Sequence, residues 1–286
     1  MTPQLPSLWD ISLPLWNIDR MRLAPNPALR GGLFGMAPRG EEELLKDYLV
    51  YEDANLVVTY TGVSLGQADL DVWMRIIQLV GQRFIDRSQK TVAVEITPSA
   101  FMRDIGRTGG RSGRIGNNDR DWLVKSLTRL TGAITIRTPD DKKGIVGNLV
   151  KGVAWNDEQN RLVVEVDNKI GYLFAARYTM LSSATRIALM GDDMALWLHA
   201  FIAAHRGSHG RSEFFYSVDT LREKSRSRIA DRSKFKYFIT QKMKKLMALP
   251  EEQRGFFSWE WENRYTLRVH YVKSMEQGTL VSSGQR

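Results

Sequence analysis

The chain has 286 residues, with 41 lysines and arginines against 32 acids for a formal net charge of +9, 43% hydrophobic residues and no cysteine. The lack of cysteine excludes disulfides and thiolate metal sites, and no apolar run reaches the roughly 18 residues that a membrane-spanning helix needs. The length suits one large or two modest domains, the basic balance points to a polyanionic partner, and no basic-then-apolar leader opens the sequence, so the expectation is a soluble cytoplasmic protein.

Residues 1–47 read as a flexible arm. Pro3, Pro6, Pro14, Pro25, Pro27 and Pro38, with Gly31, Gly32, Gly35 and Gly40, argue against a packed domain. Bulky apolar groups are nonetheless closely spaced between Leu5 and Trp16. On an arm they dock either on the protein's own body or in a partner's groove. Gln4-Leu5-Pro6-Ser7-Leu8-Trp9 resembles the bacterial sliding-clamp-binding peptide, a glutamine followed by an apolar pair ending in an aromatic. Gln4, Leu5, Leu8 and Trp9 are therefore the candidate clamp contacts.

Residues 48–178 read as the first folded unit. The stretch 56–60 is β-branched and aromatic, as strands are. In the helix that follows, Leu70, Trp73, Ile77, Val80 and Phe84 share a face. A second strand covers 91–96. Thr97-Pro98 then reads as an N-cap with proline at the first helical position, opening a short helix to Ile105. The glycine-rich stretch 106–116 lacks the Gly-Lys-Ser/Thr ending of a P-loop. It reads as a basic turn whose Arg111 and Arg114 meet DNA phosphates. The helix 117–131 buries Leu123, Val124, Leu127 and Leu130 and turns Lys125 and Arg129 outward as DNA contacts. Strands over 133–137, 147–154 and 161–166 follow, the last two joined by the polar turn 156–160. This order of helix, strand, short helix, turn, longer helix and hairpin is that of a winged helix, which packs its last helix through one face and offers the other to a DNA groove.

The same order recurs over 179–273. The helix 192–205 places Met194, Trp197, Leu198, Phe201 and Ile202 on one face. A strand over 213–218 and a short helix capped by Ser217 or Asp219 lead into the basic block 219–246. There Phe235, Phe238, Ile239, Met243 and Leu246 form an apolar stripe, interrupted by Lys242. Ser233, Tyr237, Thr240, Gln241 and Lys244 form the opposite face. On the helix 232–247, Lys234, Tyr237, Gln241 and Lys244 are the candidate readout residues, with Gln241 suited to adenine. Arg222, Arg226 and Arg228 read as phosphate clamps on the turn, and Arg232 opens the helix as a further contact. Segments 256–261 and 265–271 form a closing hairpin, and 274–286 reads as a disordered tail. The expected fold is α+β: two tandem winged-helix domains behind a flexible N-terminal arm.

Chemistry of its own is not expected. His205 and His209 have the spacing of a helical zinc pair, but Gly207-Ser208 breaks the helix between them, so a surface turn is the reading. His199 reads as a core histidine. No Walker or Gly-X-Ser-X-Gly motif appears. The expectation is a binding protein with no catalytic residues, metal or cofactor. The alternatives are a transcriptional repressor of the same fold and a DNA-processing recombinase or relaxase.

The run Val57-Val58-Thr59-Tyr60-Thr61-Gly62-Val63 through Val72-Trp73 resembles the TrfA family of plasmid replication initiators, as does Leu8-Trp9-Asp10-Ile11. Similarity extends to the helix 117–131, to Leu173-Phe174-Ala175 with Tyr178-Thr179, and to the order of elements in the C-terminal half. The resemblance implies two winged-helix domains that bind directly repeated iterons in double-stranded origin DNA and open the adjacent AT-rich tract, with single-stranded AT-rich DNA a further candidate ligand. It also implies recruitment of the host sliding clamp, helicase and initiator, and exchange between dimer and monomer, with no membrane partner. The family's clamp-binding motif is Gln-Leu-Ser-Leu-Phe; here Pro6 is inserted and Trp9 stands in place of phenylalanine.

Overall fold

The computed structural model describes residues 20–36, 42–83, 91–107, 116–156, 158–175, 177–206 and 212–271. The clamp-like motif (Gln4, Leu5, Leu8, Trp9), the turn arginines Arg111 and Arg114, His209 and the tail lie outside these residues. Strand β1 (Met21–Pro25) runs into the short helix α1 (Asn26–Arg30). A hairpin of β2 (Leu44–Glu52) and β3 (Val57–Val63) precedes α2 (Gln67–Arg83), β4 (Thr91–Ile96), α3 (Pro98–Asp104) and α4 (Asn117–Arg129). Next come two more hairpins, β5 (Ala133–Arg137) with β6 (Gly144–Asn148) and β7 (Gly152–Asn156) with β8 (Arg161–Asp167). The connection α5 (Gly171–Ala175), β9 (Tyr178–Ser182) and α6 (Ser183–Ala188) leads to α7 (Asp193–His205), β10 (Glu213–Ser217), α8 (Val218–Ser225), α9 (Arg232–Met247), α10 (Glu251–Arg254), β11 (Ser258–Asn263) and β12 (Thr266–His270). Among the described residues no helix is long and apolar enough to cross a membrane.

The architecture is mixed α/β with several small sheets. Two of them share one topology. In β4-β8-β7 and in β10-β12-β11 the last strand in sequence lies in the middle, antiparallel to both neighbours. Each sheet is preceded by the same helix-strand-helix-helix order, so the expected repetition is present. The four-stranded sheet β2-β3-β5-β6 stands outside this repeat. It also splits the strand expected over 147–154. Leu149 and Val150 are consecutive and both buried, which the alternation of a single strand cannot satisfy. The chain crosses there from one sheet to the other, with the Val150 amide donating to Leu130 O and the Lys151 amide to Glu165 O.

The flexible arm expected over 1–47 needs correction for residues 20–36. Leu23, Ala24, Ala28, Leu29, Leu33 and Phe34 are core residues, and β1 pairs along its length with β9. That pairing also places the expected boundary at 178/179 inside an element. Pro25 and Pro27 have local uses. Pro25 closes β1, and Pro27 lies in the first turn of α1, where a missing N–H costs nothing. Gly32, at φ +72, lets the chain pass against the Lys224 carbonyl, where a Cβ would collide.

Helix α2 is the centre of the first core. Of its expected stripe, Leu70, Trp73, Ile77 and Val80 are buried and Phe84 lies outside the described residues; Val72, Met74 and Ile76 on its other sides are buried too. The helix is interior although not apolar all round: Gln67, Asp69 and Gln78 are buried with it as polar residues. Trp73 stacks on Phe34, with ring centroids 5.5 Å apart, and donates its indole N–H to Leu149 O at 3.1 Å. Helix α7 is likewise buried round most of its surface. Trp197, Leu198, Phe201 and Ile202 serve the second core, while Ala200 and Ala204 pack into the first.

Polar bolts join the two halves. Arg186 on α6 is 3% exposed and lies 2.7 Å from Asp71 of α2. Its guanidinium also donates to the side chain and carbonyl of Gln67 and to Leu196 O of α7. Arg30 donates to Ala204 O at the end of α7.

His199 lies in the core, as its apolar neighbours predict. Its Nε2–H donates to Gln253 O at 2.9 Å, and Nδ1 has no partner. Burial pushes its pKa down from 6.5 to about 4, against the opposing bond to Gln253. Between these values the unfolded chain takes up a proton that the native state refuses, so stability falls as pH drops through the window. Urea unfolding should lose on the order of 3 kcal/mol from this group between about pH 7 and pH 4. His199→Gln, which keeps the donor but cannot protonate, should flatten that slope.

Candidate nucleic-acid interface

Helix α9 is set by a cap and an apolar stripe. The Asp231 carboxylate accepts the Lys234 amide at 2.6 Å, and Phe235, Ile239, Met243 and Leu246 are buried. Lys234, Tyr237, Gln241 and Lys244 are exposed, Tyr237 at 66%, and their spacing makes one solvent-facing row. The row carries two cations, an amide and a phenol, groups able to meet phosphates and base edges. Thr240, expected on this face, is half-buried. Its hydroxyl donates to Lys236 O and accepts the Trp261 indole N–H at 3.1 Å.

Lys242, the interruption in the apolar stripe, has a partner. Lys242 Nζ and Lys245 Nζ both reach Asp192 Oδ2, at 2.9 and 3.0 Å, while Asp192 Oδ1 caps α7 by accepting the Ala195 amide. Partial burial would raise the Asp192 pKa, but the hydrogen bonds from Lys242 and Lys245 outweigh it and hold the carboxyl below its usual value. These lysines fasten α9 to α7, so two cations of the basic block are spent inside the protein.

The turn between α8 and α9 divides its arginines. Arg228 is exposed. Arg222 and Arg232 both lie against Asp219, which offsets part of their charge. Arg226 departs from expectation. It adopts a left-handed backbone at φ +54 and turns its side chain inward, donating to Leu65 O and Leu33 O of the first half. Burial lowers its pKa. It is an inter-unit bolt and not a surface clamp.

In the first half, α4 shows Asn117, Asn118, Asp121, Lys125 and Thr128 to solvent. Lys125 is exposed. Arg129, expected beside it, is committed inward: it lies 2.6 Å from Asp69, which is 4% exposed and also accepts the Ser126 hydroxyl. The α4 face is thus polar and weakly charged, whereas the α9 face is cationic. Arg107, which the sequence reading passed over, stacks on Trp122 of α4 with its guanidinium 3.7 Å from the ring centroid.

A hollow of about 1000 Å³ is lined by Trp122, Lys125 and Arg129 of α4. A second hollow, along Phe238, Lys242 and Lys245 of α9, has Met190, Gly191 and Asp193 in common with it, and a third is lined by Met36, Arg228 and Lys234. Asp69, Asp71 and Asp193 line the first hollow, which lowers its attraction for a polyanion.

The β11–β12 hairpin is joined to α9. Trp261 bonds Thr240, and the Lys236 ammonium lies 4.5 Å from its ring centroid. The tip is a two-residue turn, Arg264-Tyr265, in which Asn263 Oδ1 accepts the Tyr265 amide at 2.9 Å. The Tyr265 hydroxyl meets Ser233 Oγ at 3.2 Å, and the guanidinium groups of Arg232 and Arg264 lie 4.8 and 5.1 Å from its ring centroid. The His205 ring packs among Phe201, Phe214 and Tyr216, and the surface turn expected at Gly207-Ser208 lies outside the described residues.

No protein-family model matches the sequence, and no curated protein matches it. Among solved structures the fold is similar to the crystal structure of domains 2 and 3 of RctB, with a TM-score of 0.53 and 10% sequence identity over 87% of this chain and 98% of that one. At this identity the likeness concerns the fold.

Replacing Arg226 by Ala should lower stability by about 1–3 kcal/mol, because two buried carbonyls lose their donor. Replacing the exposed Lys244 by Ala should stay within about 0.5 kcal/mol. Equilibrium urea unfolding of both variants checks the contrast.

Proposed function

We infer that this chain is a plasmid replication initiator of the TrfA type, built from two tandem winged helices. It binds directly repeated iterons in double-stranded origin DNA, opens the adjacent AT-rich tract, and recruits the host sliding clamp, helicase and initiator. It exchanges between dimer and monomer and acts as a binder without chemistry of its own. The observation that carries this reading is the duplicated helix-strand-helix-helix-hairpin order with a cationic, solvent-facing row on α9. The fold likeness to RctB supports the initiator class, since RctB is a replication initiator. Helix α9 supplies the main readout and α4 a weaker second contact, because only α9 has a cationic face.

Footprinting on the DNA that flanks the gene tests the reading. Protected direct repeats beside an AT-rich tract support it. A single protected site over a promoter, with no repeats, would favour a repressor instead. Gln241→Ala should cost about 1–3 kcal/mol on the cognate repeat and relax preference at one base pair. Equal losses on cognate and random duplexes would remove Gln241 from base readout.

A further inference from the structure

We propose that the N-terminal arm docks on the body of its own chain, with residues 11–18 lying across Ala184, Ile187 and Met190 on the outer face of α6. Helix α6 is inverted in polarity. Its inner side carries Thr185 and Arg186, both buried, and Arg186 is the bolt to Asp71, Gln67 and Leu196. Its outer side is Ala184, Ile187 and Ala188, all exposed, with Ile187 at 45% and Met190, just past the helix end, at 40%. The spacing i, i+3 and i+4 puts the three helical residues on one face. A surface helix ordinarily shows the reverse arrangement. The inter-unit ion pair has taken the interior side of α6, so its apolar side faces outward. Ile187 and Met190 rest against Gly106, where a Cβ would collide with both. Met190 also leads into the hollow lined by Ile105, Trp122 and Leu196.

The segment that fits this face joins the body beside it. Arg20 O accepts the Ser183 amide at 2.9 Å, at the first residue of α6. Residues 1–19, outside the described residues, connect to the body at that point. In sequence, Ile11, Leu13, Leu15, Trp16 and Ile18 precede it, and no charged residue falls between Ile11 and Ile18. An uncharged apolar segment thus meets the body at the edge of an uncharged apolar helix face. From Ser183 to Met190 is about 11 Å at helical rise, which about four extended residues span, so residues 11–18 are long enough to cover it. Tethering gives the arm a high local concentration. A second copy would gain only a few side chains of contact here, far below the roughly 20–30 residues a side of a stable interface. The arm is thereby divided: residues 11–18 anchor it, and the stretch Gln4–Trp9 is left to a partner. This inference does not depend on the DNA-binding reading.

The lack of cysteine makes an introduced thiol a single reporter. Ile187→Cys and, as a second site, Ala188→Cys are alkylated in the full chain, with the arm unchanged and with Leu13→Ser, Leu15→Ser and Trp16→Ser combined. The arm substitutions should speed alkylation at both sites by about tenfold. They should leave the rate at Val146→Cys, exposed on β6, unchanged. In a chain without any introduced thiol, the same three substitutions should shift the methyl resonance of Met190, identified by its loss in Met190→Leu. That readout holds even where a thiol on α6 itself weakens docking. Protection should be the same at all protein concentrations. Alkylation unchanged at both sites with a Met190 resonance that does not move overturns the proposal. Protection that rises with protein concentration overturns it in favour of a second copy on the same face.

Discussion

A buried guanidinium holds the molecule in its shape. Arg186 sits where three helices converge, with Asp71 and Gln67 of α2 on one side and the carbonyl of Leu196 in α7 on the other. Removing an ion pair from water is costly, and the pair is tolerated only when geometry and extra hydrogen bonds compensate. Here they do, because donors at Nε, Nη1 and Nη2 all have acceptors. Such a group contributes more to specificity of arrangement than to raw stability. An apolar contact tolerates sliding, whereas four directed bonds define one disposition of α2 against α7. The positions of α4 and α9 follow from it, since α4 packs on α2 and α9 on α7.

The basic composition is sorted by this architecture. Arg226, Arg129, Lys242 and Lys245 look alike in sequence with Lys234 and Lys244, yet the first four reach carboxylates or carbonyls of the protein itself. Of the basic block 219–246, what faces solvent is a narrower set, with Arg228 on the turn and Lys234 and Lys244 on the outer row of α9. Along α9 these charges form a strip, a distribution that favours one orientation of a polyanion over diffuse attraction. The second unit carries that strip and the first does not, so the duplicated topology has diverged in surface chemistry while keeping its sheet order.

Much of this was legible in the residues. The helix 232–247 coincides with α9, and its apolar stripe is the buried one, because a periodicity of 3.6 over four turns leaves little freedom. Strands at 91–96 and 133–137 and the short helix after Thr97-Pro98 were equally plain. The failures share a cause. Residues 20–36 look like a linker because proline and glycine are local signals, while their burial depends on a groove built by segments more than a hundred residues away. Arg129 lies on the outward side of a local pattern, and only the fold brings Asp69 to it. Arg226 was drawn inward by carbonyls at positions 33 and 65, which no spacing near 226 reveals. The cations most easily misjudged are those whose partners are distant in sequence. At the hairpin tip the signal existed, a polar turn between two apolar runs, but its proximity to α9 did not.

Helix α7 is shared property. Its bulky side belongs to the second core and its alanine side to the first, where α1 closes over Ala200 and Ala204. Small residues at such a contact allow backbones to come close, and they do so only while the other backbone is there. The C-terminal half is therefore no cassette. Cut from the rest, it would carry an alanine seam moulded to an absent neighbour, and the N-terminal half would keep the matching hollow. Exchange of whole modules, easy between domains on a loose tether, is closed to a protein whose two halves share a helix.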